Sequence, residues 1–224
     1  MNMAQQRIIF MTTDTDILTL SQWLSPSYPV GAFAYSHGIE QAIRDNRITD
    51  APTLAAWLTA VLSEGSGRSD AVLLAAAHRA PDADIAKIND LARAVAASAE
   101  RIRESEKQGA AFASTTRAVW RIDLPDLMYP VAVGRAAGLK SLDVETTSAM
   151  YLQSFASNLV SAAIRLVPLG QTQGQAVLAE LTPLCRTIAA DTKSTDPEDL
   201  WSNTWGSDIA SMRHETMEPR LFQS

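Results

Sequence analysis

Apolar residues recur every three to four positions along most of the chain, the period of an amphipathic helix. Ile17, Leu18, Leu20, Trp23 and Leu24 mark a first helix, with Thr13 or Asp14 as its cap and Ser25-Pro26 as its stop. Residues 26–31 read as a loop, and a second helix is expected over about 33–43. Asp50-Ala51-Pro52 opens a third, striped by Leu54, Trp57, Leu58, Val61 and Leu62 and ended by Gly65 and Gly67. Asp70 opens another, with Leu73, Leu74 and Ala77, stopped by Pro81, and Ile85, Ile88, Leu91 and Val95 mark the next. A charged amphipathic helix is expected over about 100–120, and a short one over 131–137 that ends at Gly138. The longest is expected over about 143–167, where two apolar stripes place it at the centre of the bundle: Val144, Tyr151, Phe155, Leu159 and Leu166 form one, Leu152, Ala156, Val160 and Ile164 the other. After Pro168 and Gly170, a last core helix carries Ala176, Val177, Leu178, Leu181, Leu184 and Ile188.

No alternating strand pattern and no repeat of 20–50 residues competes with this reading. The fold expected is therefore all-α, a single-domain helical bundle with a long central buried helix and an extended C-terminal tail. Residues 1–190 form the core and 191–224 the tail. Polar through 192–199, the tail then carries Trp201, Trp205, Ile209, Met212, Leu221 and Phe222. That many large apolar groups need cover, and either the chain's own core or a partner supplies it.

Composition narrows the function. With 224 residues, 46% hydrophobic and 20% charged, the chain is long and apolar enough to bury a core. A net charge of −6 argues against nucleic acid and anionic membrane as partners. The single cysteine, Cys185, forms no intramolecular disulfide and suits a reducing compartment. Arg7 is followed by only a short apolar run over residues 8–11 before Asp14 and Asp16, which is no signal peptide, and the apolar stretch over 71–77 is too short to span a bilayer. A cytoplasmic location is expected.

Candidate chemistry is sparse. Ala34-Tyr35-Ser36-His37-Gly38 resembles a nucleophile elbow with alanine for its first glycine, but an elbow needs a strand before it, so a serine hydrolase built on Ser36 is the minor alternative. Gly134-Arg135-Ala136-Ala137-Gly138-Leu139-Lys140-Ser141 has three rather than four residues between its glycines, and Leu139 displaces the lysine; it reads as a helix end, not a phosphate loop. His37, His78 and His214 have no ligand at helical spacing, which leaves only a weak contact by Met212, His214 and Glu215 for a metal. The charges Glu100, Arg101, Arg103, Glu104, Glu106 and Lys107 read as a solvated face or a docking patch. On the long helix, Ser154, Ser157, Asn158, Ser161 and Arg165 make a polar stripe that suits a seam, a hydrated passage or a subunit interface.

Longer segments carry a resemblance. Residues 29–40 (Pro-Val-Gly-Ala-Phe-Ala-Tyr-Ser-His-Gly-Ile-Glu), Arg103-Glu104-Ser105 with Gly109, residues 158–172 and residues 208–216 (Asp-Ile-Ala-Ser-Met-Arg-His-Glu-Thr) together resemble the urease accessory protein F family. Two departures stand out: Trp205-Gly206-Ser207 replaces a stretch that usually holds proline and leucine, and Pro219 precedes the final Arg-Leu-Phe. The resemblance implies an all-helical, cytoplasmic, dimerising adaptor that is not itself an enzyme and needs no cofactor. It further implies that nickel is handled by a complex containing a D- or H-type accessory protein, a nickel-carrying GTPase and urease apoprotein. The alternative is a nickel-binding chaperone in its own right. Carried over by position, the partner-binding candidates are Ile209, Ser211, Met212, Arg213, His214, Glu215, Arg220, Leu221 and Phe222 in the tail, and Tyr35, Ser36, Gly38 and Glu40 near the N-terminus.

Overall fold

A computed structural model describes residues 12–224, so the run over 8–11 lies outside the described residues. The helices are α1 (Asp14–Trp23), α2 (Ile39–Arg44), α3 (Ala51–Glu64), α4 (Ser66–Arg79), α5 (Ile85–Ala94), α6 (Ala99–Trp120), α7 (Tyr129–Leu139), α8 (Val144–Ile164), α9 (Gln171–Thr192) and α10 (Trp205–His214). Short 3₁₀ turns occupy Ala32–Ala34, Asp82–Asp84 and Pro197–Asp199. The fold is all-α, with no strand among the described residues.

The caps are local and legible. Thr13 and Asp16 bond each other's backbone N–H at 2.9 and 3.2 Å to start α1. Asp50, Ser98 and Asp143 accept from the third residue of α3, α6 and α8 at 2.9, 3.1 and 2.7 Å. α8 does lie at the centre, packing along α9 and touching α1, α2, α3, α4 and α7. It is not the longest element: it has 21 residues, whereas α6 and α9 have 22 each. Residues 165–167 leave the helix in turns bonded to Ala162 and Ala163. α4 is enclosed as completely as α8, every residue from Ser69 to Ala77 being buried.

Three expected boundaries change, each where backbones meet closely. The helix expected over 33–43 is two pieces, because His37 and Gly38 both take left-handed conformations (φ 54° and 77°). A Cβ at Gly38 would lie 2.8 Å from the backbone nitrogen of Ser211, so α10 occupies the space a continuous helix would need. Of Gly65 and Gly67, only Gly65 breaks the chain; Gly67 is inside α4, with its missing Cβ 2.8 Å from Leu62 Cα. Gly138 does not end α7. The left-handed residue is Ser141 (φ 54°), and Leu142 N–H bonds Ala137 O at 2.9 Å to close a Schellman turn.

Candidate functional site: a buried charge cluster beneath the tail

α6 presents its charges in two directions. Arg103 and Lys107 face solvent, but Glu100, Arg101, Glu104 and Gln108 are buried, which corrects the reading of this helix as a solvated face. Arg101 reaches Asp70 of α4 with Nη2 2.5 Å from Oδ2, and Glu104 with Nη1 3.2 Å from Oε1. Tyr151 of α8 donates to the same Asp70 oxygen at 2.7 Å, and Gln108 donates to Glu104 at 3.3 Å. Buried charges persist only when paired and hydrogen-bonded. Two acids here share one guanidinium and draw the remaining donors from hydroxyl and amide groups.

Titration follows from this geometry. Burial opposes ionisation of Glu104, yet the Arg101 charge, His37 and the Ser224 hydroxyl outweigh it and hold the carboxyl below its ordinary value. Burial likewise opposes the charge on Arg101, and Asp70 and Glu104 overcome it. Burial pushes up the Tyr151 phenol, and it pushes the Cys185 thiol up to about 11, so Cys185 is no nucleophile at neutral pH. A carboxyl depressed in the folded state adds stability that is present above its unfolded value and lost as pH falls through the folded value. Acid unfolding of the wild type is therefore expected to extend below the ordinary carboxylate range. Glu104→Gln should flatten that limb of the stability–pH curve, read by urea midpoints at stepped pH; an unchanged slope would remove Glu104 from the account.

Two cavities flank the cluster, and Arg101 lines both. The larger, about 490 Å³, lies between α8, α6 and the α1–α2 connection. Its walls include Ser154, Ser157, Asn158 and Ser161, which places most of the α8 polar stripe on a cavity rather than in a dry seam. The stripe also holds the α1–α2 connection: Ser154 donates to Leu24 O at 2.8 Å, Asn158 to Tyr35 O at 3.3 Å and Arg165 to Phe33 O at 3.3 Å. The second cavity, about 410 Å³, lies under α10, with His37, Asp70, Arg101 and Asp208 inside and Val95, Trp205, Ile209 and Met212 around it. Burial raises the Asp208 carboxyl, and among the described residues its hydrogen-bond partner is the Thr204 hydroxyl at 3.5 Å.

α10 and residues 215–224 fold back over this cluster. His214 is fully buried, its Nδ1 2.8 Å from Glu100 Oε2 and its Nε2 3.2 Å from Glu40 Oε2. Arg220 reaches Glu100 at 2.5 Å, and the Leu221 and Phe222 N–H groups donate to Glu40 at 2.8 and 3.0 Å. Glu215 accepts the Ala99 N–H at 2.8 Å at the start of α6.

The thirteen candidate residues therefore divide. Ile209, Met212, Arg213, Glu215, Arg220 and Leu221 are exposed. Tyr35, Ser36, Gly38, Glu40, Ser211, His214 and Phe222 are interior, and while the tail is seated no other molecule reaches them. Ser36 donates to the Ser224 carbonyl, and His37 Nε2 lies against Ser66 at 2.7 Å rather than against Ser36, so the nucleophile–base pair of an elbow is not formed. The Asp70–Arg101–Glu104 grouping escaped sequence reasoning. Its signals were an acid opening an otherwise apolar run in α4, and polar residues at 100, 104 and 108, one stripe of α6.

The chain matches the UreF family model over residues 48–182, from just before α3 into α9. It is 51% identical over 216 residues to the urease accessory protein UreF of Roseobacter denitrificans, covering 96% of this chain and 97% of that one. This chain belongs to the UreF family. Similar full-length agreement is found with the UreF proteins of Ruegeria pomeroyi (48% identical, covering 95% of this chain and 98% of the relative) and Cereibacter sphaeroides (51% identical, covering 93% and 98%). The family model stops before α10, but the relatives' coverage brings the tail into the likeness. Among the described residues of this UreF-family chain, no three His, Cys, Asp or Glu side chains are grouped to hold a metal ion, and no helix is long and apolar enough to cross a membrane.

Proposed function

We propose that this chain is a cytoplasmic, non-catalytic scaffold of urease maturation. With a D- or H-type accessory protein it recruits a nickel-carrying GTPase, working as a homodimer, so that nickel is delivered to urease apoprotein. Nickel is cargo of the complex in this reading, and no cofactor is required of the chain itself. The observation that carries it is the outer face of α10. Trp205, Ile209 and Met212 are 72%, 45% and 51% exposed, with Trp201, Val95 and Leu221 also exposed. Such a cluster of large apolar groups on a well-packed body favours protein recognition. Arg213, on the same helix, supplies a residue type common at binding hot spots.

The test separates recognition from folding. Ile209→Asp and Met212→Asp alter exposed side chains and are expected to leave the thermal midpoint within about 2 °C, as surface changes do. Each is expected to weaken binding of the D- or H-type accessory protein by about 2 kcal/mol or more, roughly thirtyfold, if these positions are hot spots. Biolayer interferometry with the purified accessory protein reads this directly. Wild-type affinity in both variants would move the docking surface elsewhere. Deletion of α10 is a poorer test, because it would also uncover the core residues that Ala210 packs against and leave Glu40 and Glu100 without His214.

A further inference from the structure

Residues 220–224 make no helix or strand of their own, and every partner that holds them lies elsewhere in the fold. The Arg220 guanidinium meets Glu100, and two successive backbone N–H groups converge on one carboxylate, Glu40. The Phe222 ring is buried beneath the Arg165 guanidinium, 4.7 Å away. Gln223 N–H donates to Ala34 O at 2.8 Å, Ser36 N–H donates to Ser224 O at 2.7 Å, and the Ser224 hydroxyl donates to Glu104 at 2.9 Å. This is how a protein reads a peptide: charge, backbone donors, an aromatic anchor and a terminal hydroxyl, each met by a separate group.

The groove has a second property. Glu40 and Glu100 both retain His214 without the strap, and Glu104 retains Arg101 and Gln108. Removing residues 220–224 therefore strands none of the three carboxylates that bind them. A site whose charged groups stay partnered when vacated, with Ala34 O and the Ser36 N–H and hydroxyl opened to water, keeps its shape, which is the condition for a preformed binding site.

We propose that this groove, between the α1–α2 connection, α2 and α6, is a peptide-recognition site for a cationic residue followed by two bulky apolar residues, a polar residue and a hydroxyl residue. The chain's own residues 220–224 are its resident ligand. They are exchangeable rather than a fixed part of the core. A short tether gives the strap a millimolar effective concentration, so the intact chain excludes competitors, and a weakened strap yields the groove.

The experiment follows fluorescence anisotropy of a fluorescein-labelled peptide of residues 218–224 added to full-length chains. The intact chain is expected to give no saturable binding. Arg220→Ala with Phe222→Ala is expected to bind one peptide per chain, and so is Gln223→Pro, which removes one backbone donor and no buried side chain. Adding Glu40→Gln to either background should weaken binding about tenfold, as should replacing the peptide's arginine by alanine, the size of one hydrogen bond to a charged group. The proposal is overturned if neither variant binds while its circular dichroism is native. It is equally overturned if both variants lose native structure, since the strap would then belong to the core, or if Glu40→Gln leaves affinity unchanged.

Discussion

Arg101→Leu is expected to be the most damaging single substitution in this protein, costing about 3–5 kcal/mol, the usual result of leaving a buried charge without its partner. Asp70 and Glu104 are both buried, and the guanidinium lies 2.5 and 3.2 Å from them. The tyrosine and glutamine donors that remain, Tyr151 and Gln108, are neutral and cannot balance two carboxylates. Arg101→Lys should recover only part of the loss, because an ammonium lacks the planar fork that spans both acids. Adding Asp70→Asn to Arg101→Leu should also restore part, since it removes one stranded charge. Urea midpoints for the four chains measure this, and a loss below about 1 kcal/mol for Arg101→Leu would mean that water reaches the acids.

Gly134→Ala is expected to have the next largest effect. α4 and α7 cross with Gly134 against the Leu74 carbonyl and Gly138 against the His78 carbonyl, so glycines four residues apart let two backbones touch. A methyl group at 134 would enter the shell of a backbone oxygen, which no rotamer change relieves, and the helices would have to separate. A cost of about 3 kcal/mol, the upper end for an overpacked core, is expected. Gly206→Ala is the control: its nearest neighbours are flexible side-chain atoms of Arg47 and Trp57 at 3.7 and 3.9 Å, and a glycine-to-alanine change in a helix there should be neutral or stabilising by up to about 1 kcal/mol. A thermal midpoint for Gly134→Ala that holds or rises as it does for Gly206→Ala would show that helix propensity, not close approach, governs Gly134.

That pair of glycines shows how the two levels of information differ. Gly134 and Gly138 invite comparison with a phosphate loop, and the spacing excludes that reading on chemical grounds. Nothing in the local sequence says that the hydrogen atoms on those Cα positions face another helix. The charged residues of α6 pose the same problem. Their periodicity is visible, but a stripe of Glu100, Glu104 and Gln108 looks alike whether it meets water or Arg101, His214 and a returning tail.

What the sequence by itself determined is the set of elements: all-helical architecture, the cap at Asp50, a first cap at Thr13 or Asp14 of which the structure takes Thr13, the central place of the helix around Leu152, and the family likeness. These follow from interactions within about four residues, where side-chain spacing and hydrogen-bond chemistry act locally. Only the tertiary structure decided the break at Ser36–Gly38, the interior position of Glu100, Arg101 and Glu104, and the split of the tail into an exposed α10 face and a seated strap. Each of those depends on groups more than 25 residues apart in sequence meeting at contact distance, such as Gly38 with Ser211, Arg101 with Asp70 and Glu40 with His214. Desolvation and close packing act on that neighbourhood, and no local pattern encodes it.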